Sequence, residues 1–119
     1  MITIEAVLDK DGILKKCTAS GHAGGKRTEN DIVCAAVSVL MRTAVHVLSG
    51  RKDITIRYKA PEPGFLSMEA DYKAEGKAFL SAIGEFVIDG LASVAEEYPK
   101  YCKLIFLQNS RGLNSNLIK

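Results

Sequence analysis

The sequence predicts an α+β two-layer sandwich, with two helices packed on one mixed or antiparallel sheet. Two long segments carry apolar residues at three- and four-residue steps, and five shorter ones alternate or run apolar. Their order, ββαββαβ, sets two helices against one sheet. The 119 residues, 47% hydrophobic and 25% charged, suit a single domain, 1–119, that buries its own core.

Each element has its own justification. Residues 2–8 alternate, with Ile2, Ile4, Ala6 and Leu8 on one face. Asp9-Lys10-Asp11-Gly12 is turn chemistry, because Gly12 takes positive φ without steric cost, and Ile13 to Ser20 is the returning strand. Residues 21–30, with three glycines and no apolar periodicity, are expected to form a flexible loop. Asn30 or Asp31 then caps a helix from Asp31 to Ser49, closed by Gly50. Its first half is apolar almost all round, which calls for burial on more than one side. Asp53 to Lys59 and Phe65 to Tyr72 are strands joined by the turn Ala60-Pro61-Glu62-Pro63-Gly64. A second helix spans Glu75 to Tyr98 on the stripe Leu80, Ile83, Val87, Leu91, Val94, and Pro99 marks its end. Tyr101 to Gln108 is the last strand, and residues 109–119 read as a polar tail.

Composition excludes several functions. Sixteen basic against fourteen acidic residues leave a charge of +2, so direct nucleic-acid binding is not expected. The longest apolar run, Ile32 to Met41, falls short of the ~20 residues of a membrane span, and no signal peptide is evident. Three cysteines, Cys17, Cys34 and Cys102, cannot all pair, which favours a reduced, cytoplasmic compartment with free thiols. Two distant histidines and no CxxC leave no metal site, and no cofactor motif occurs.

His22 and Cys34 flank the glycine loop and carry the chemistry. With a helix starting at Asp31, Cys34 lies in its first turn, where free N–H groups and the macrodipole favour the thiolate and can hold an oxyanion. An imidazole folded back over the thiol can protonate a leaving amine. Asp31 lies three residues before Cys34 and Ser38 four after it, so all three share one helix face. Asp31 can orient His22, although its first role is at the helix start. Ser38 needs a hydrogen-bond partner in an apolar half-helix. His46 lies about 120° round the helix from Cys34, outside its reach. Cys17 and Cys102 read as interior thiols. The apolar strand Lys103 to Leu107 must be central or covered by a partner chain.

Gly21-His22-Ala23, eight intervening residues, then Asp31-Ile32-Val33-Cys34-Ala35-Ala36-Val37-Ser38 resemble the signature of the bacterial ribosomal-processing cysteine proteases, the Prp family. The resemblance covers the whole chain in length and element order. It implies a cytoplasmic homodimer that removes a short, apolar N-terminal extension from large-subunit ribosomal protein L twenty-seven, cutting after an aromatic residue. It also implies Cys34 as nucleophile and His22 as acid–base partner, with Gly21, Asp31 and Ser38 in supporting roles. A glycine-rich loop that closes over the peptide would suit that task. Two other readings stay open: a non-catalytic ribosome-assembly factor that binds a ribosomal protein or rRNA, and a thiol hydrolase or redox sensor working through Cys34.

Overall fold

The computed structural model describes residues 1–22, 27–108 and 116–118. Strand β1 (Ile2–Leu8) turns through Asp9–Gly12 into β2 (Leu14–Ser20). Helix α1 (Arg27–Ser49) leads to β3 (Ile54–Lys59) and β4 (Phe65–Tyr72). A single 3-10 turn, Ala74–Gly76, precedes helix α2 (Lys77–Glu97), which is followed by β5 (Cys102–Gln108) and β6 (Asn116–Ile118). The strands lie in the order β3-β4-β2-β1-β5-β6. All neighbours are antiparallel except β1 and β5, which run parallel from the pair Ile2 and Cys102 to Leu8 and Gln108. The sheet is therefore mixed, and two helices cover it.

Alternation decides which residues form the core. Ile2, Ile4 and Ala6 point from β1 into the helix layer, joined by Cys17 and Ala19, Met68 and Ala70, and Cys102, Leu104 and Phe106. α1 answers with Val33, Val37, Met41, Ala44 and Leu48, and α2 with Leu80, Val87, Ile88 and Leu91, each at helical spacing. Both helices are long and apolar enough, by length and composition, to cross a membrane. Here their apolar stripes are buried against the sheet, as core helices require.

Two expectations need correction. α1 begins at Arg27, one turn before the expected Asp31, so residues 27–30 are helix rather than loop. Nothing after Gly25 opposes this: Arg27 and Glu29 are good helix formers, and Glu29 sits where the macrodipole favours a carboxylate. The rest of the expected flexible loop, residues 23–26, lies outside the described residues. The supposed polar tail contains β6, which pairs Leu117 with Phe106 and Ile118 with Ile105. The apolar strand Lys103 to Leu107, expected to be central or covered by a partner chain, is central, between β1 and β6. The remaining tail residues, 109–115 and 119, lie outside the described residues.

Candidate active site

At the sheet end where β1 and β5 begin and β2 finishes, a cleft of about 780 Å³ opens between α1 and the β3–β4 turn. Ile2 and Ala19 line it from the sheet. Asp31, Cys34, Val37, Ser38 and Arg42 line it from α1. Tyr58, Ala60–Gly64, Phe65 and Leu66 face them from β3, the turn and β4, and Gly21 and His22 contribute from the end of β2. All five residues singled out by the sequence, Gly21, His22, Asp31, Cys34 and Ser38, therefore meet in one cavity. His46 is exposed and lies outside it.

Local backbone geometry sets the histidine. Gly21 has φ +100°, and a Cβ there would fall 2.4 Å from the Met1 carbonyl oxygen, so only glycine fits. Its N–H donates to the Gly64 carbonyl at 2.9 Å, tying the end of β2 to the β3–β4 turn. The Met1 amino group donates to the His22 carbonyl. Gly64, with φ +85°, passes directly under the imidazole: a Cβ there would lie 2.9 Å from Cε1 and 3.0 Å from Nε2. The Met1 and Gly64 bonds thus hold the backbone at Gly21 and His22, and Gly64 lies against the ring.

Cys34 differs from the other thiols by its surroundings. Cys17 is fully enclosed, and burial pushes its thiol up to about 12, leaving it neutral and unreactive. Burial also raises Cys102, with a further push from nearby Cys34 and an opposing pull from the terminal amine. Cys34 is half-buried, and it alone of the three lines this cleft. The early start of α1 changes one expectation. Seven residues into the helix, the Cys34 amide falls beyond the first turn, where the donors without intrahelical partners lie. The expected oxyanion donors and macrodipole assistance from that turn are therefore not provided at Cys34 by this helix.

The sequence reading missed the far wall. Ala60–Gly64 was read only as a turn, and its approach to His22 is a tertiary event with no local pattern. The paired prolines around Glu62, stiff and ending in a positive-φ glycine, were the available signal. Arg42 was also missed, although it continues the row of Cys34 and Ser38 at a four-residue step.

A family model described as cysteine protease Prp matches residues 1–103, a span that contains every residue of the cleft. Among solved structures, an essential ribosomal processing protease Prp from Staphylococcus aureus, in complex with a covalently linked product peptide, superposes with TM-score 0.75. It shares 20% identity over 89% of this chain and 99% of that one. The same protease in complex with a substrate peptide gives 0.74, at 20% identity and the same coverage. A Streptococcus mutans protein gives 0.77 at 27% identity, covering 92% of this chain and 96% of that one. No curated protein matches. The structural likenesses bear out the α+β fold, and the family match supplies the chemistry: the chain belongs to the cysteine protease Prp family and is a thiol-dependent peptidase.

Proposed function

We propose that the protein is an endopeptidase that removes the N-terminal extension of ribosomal protein L twenty-seven through an acyl-enzyme on Cys34. The observation that carries this reading is the convergence of His22 and Cys34 in one peptide-sized cleft of a chain in this family. Cys34 Sγ attacks the scissile carbonyl, a C–S bond forms, and the carbonyl electron pair moves to oxygen. His22 takes the thiol proton as Sγ attacks and delivers it to the leaving amine as the carbonyl re-forms and the C–N bond breaks. Water, relieved of its proton by His22, then hydrolyses the thioester and restores the thiol. Gly21 fixes the backbone that presents His22, while Asp31 and Ser38 support the cleft wall. The apolar lining from Ile2, Val37, Tyr58, Phe65 and Leu66 suits an apolar extension with an aromatic residue at the cut. That the solved relative holds a product peptide covalently supports the same chemistry here.

The family match favours this reading over an assembly factor or a thiol-based sensor. A cytoplasmic homodimer is part of the proposal. Its support is the exposed apolar row Ile32, Val39 and Val47 on α1 with Phe86 on α2, rather than β5, which its own chain covers. Light scattering of the purified protein tests the dimer. The catalytic reading is tested with a peptide spanning the extension junction, followed by mass spectrometry. Wild type should cut it, and neither Cys34→Ala nor His22→Ala should. Undiminished cleavage by Cys34→Ala overturns the assignment.

A further inference from the structure

His22 and Cys34 reach the cleft on separate segments, so their separation depends on how the start of α1 is fixed to the sheet. His22 is tied to the start of β1 through the Met1 amino group, and the Ile2 N–H donates to the Tyr101 carbonyl at 2.8 Å. The hydroxyl of the same tyrosine donates to the Glu29 carboxylate in the first turn of α1. Glu29 precedes Cys34 by roughly 7.5 Å along the helix, at ~1.5 Å per residue. A continuous run of bonds therefore joins the two reactive segments by way of Tyr101. Tyr101 and Glu29 are both half-buried, and neither lines the cleft.

Position 29 makes this bond more than a surface contact. It lies one turn before Val33 and two before Val37, on the stripe that α1 buries against the sheet. Packing at Val33 and Val37 sets the height of the helix above the sheet, but apolar contact is non-directional. A hydrogen bond from a phenol to a carboxylate is directional and charge-assisted, so it fixes the rotation and register of the helix end that carries Cys34. Cys102, the residue after Tyr101, is close enough to Cys34 for the two thiols to act on each other electrostatically. The tie thus meets α1 beside the nucleophile, where a shift of about 1 Å passes directly into the geometry between Cys34 and His22.

We propose that Tyr101, acting through Glu29, is a positioning residue that sets Cys34 against His22. This rests on the reading of that pair as the machinery of an endopeptidase, and two readouts keep the proposal and the reading apart. The first is cleavage of the junction peptide. Tyr101→Phe keeps the ring and loses the hydroxyl, so kcat should fall about tenfold with KM nearly unchanged, as a misplaced pair requires. Glu29→Ala should match it, while Glu29→Gln, which still accepts a hydrogen bond, should recover most of the rate. The double variant Glu29→Ala/Tyr101→Phe should be no slower than either single one. The second readout is alkylation of Cys34 by iodoacetamide, located by mass spectrometry, which needs no peptide. At about pH 7, where the thiolate relies on His22, Tyr101→Phe should slow it about threefold; at about pH 9.5, where solvent alone ionises a thiol, it should match wild type. An unchanged kcat or neutral-pH alkylation rate overturns the proposal. So do a loss carried by KM, additive losses in the double variant, no recovery in Glu29→Gln, or equal slowing of alkylation at both pH values. If alkylation follows the expected pattern while wild type cuts no junction peptide, the positioning role stands and the endopeptidase reading fails.

Discussion

The two ends of the sheet treat polar groups in opposite ways. At the β1–β2 hairpin end, charges are satisfied within the chain. Asp9 accepts the Tyr72 hydroxyl at 2.7 Å and the Asp11 and Ile13 amides, Lys77 reaches Asp11 at 3.1 Å, and Arg51 grips Asp53 while stacking on Phe79. Asp71 takes both Lys15 and Arg57. At the cleft end, among the described residues, the His22 ring and the terminal nitrogens of Arg42 bond to no side chain. The saturated end holds the fold together, and at the other end the His22 ring and the Arg42 terminal nitrogens keep hydrogen-bonding capacity for a ligand. Burial alone does not draw this line, because Asp71 and Arg42 both lie near the surface. The difference is whether partners are already supplied.

That contrast breaks most sharply at Cys34. Cys34→Ala should lower cleavage by about a thousandfold or more while barely moving the melting temperature, whereas Cys17→Ser should do the reverse. A hydroxyl placed in the enclosed Cys17 site costs about 1–3 kcal/mol in a denaturant melt and leaves cleavage by the folded fraction intact. A mutation at one thiol that moved both readouts would dissolve the division between the two regions.

Gly64→Ala should act at both levels. Its positive φ costs an L side chain about 1–2 kcal/mol, and the new methyl must displace the imidazole. Cleavage should fall about ten- to a hundredfold, with the loss in kcat, since a misplaced proton donor costs that much. Unchanged kcat would mean that the Gly64 contact does not set His22.

At the hairpin end, Tyr72→Phe removes one donor to Asp9 and should cost about 1 kcal/mol without altering cleavage. The Asp9 hydrogen bond in turn holds the Tyr72 hydroxyl up at about 12, so the phenol stays protonated through the working range. The smallest effect is acid sensitivity. The Lys15 and Arg57 bonds hold the Asp71 carboxyl below its ordinary value of 3.8, and Arg51 does the same for Asp53. Burial pushes Asp9 the other way, but Tyr72, the two amides and Lys77 outweigh it. Because these folded values lie below the unfolded ones, their stabilisation is complete above about pH 4 and fades as pH falls through the folded values. Melting temperature should therefore drop below about pH 4, and Asp71→Asn should flatten that drop while leaving neutral-pH cleavage unchanged. An Asp71→Asn curve parallel to wild type would remove Asp71 from the account.

Much of this was legible in the sequence because it is periodic. The alternation of Ile2, Ile4 and Ala6 and the stripe from Leu80 to Leu91 record burial directly, and those elements stand where expected. Residues 27–30 contain no apolar side chain, so helix there leaves no burial pattern to read. β6 is three residues long, too short for alternation to register. His22 and Cys34 could be paired from the sequence because they bracket one loop. The turn at Pro61–Gly64 reaches His22 only once β4 has paired with β2, and no local spacing reports that approach.

The central place of β1 also bears on synthesis. Ile2, in the cleft, belongs to β1, yet one of its neighbours is Cys102, at the start of β5 and far along the chain. An emerging chain can build the β1–β2 hairpin early, but β1 keeps a bare edge until β5 has left the ribosome. The floor under Cys34 is thus complete only once β5 has paired, so nascent fragments that lack β5 carry Cys34 and His22 without a finished cleft to place them.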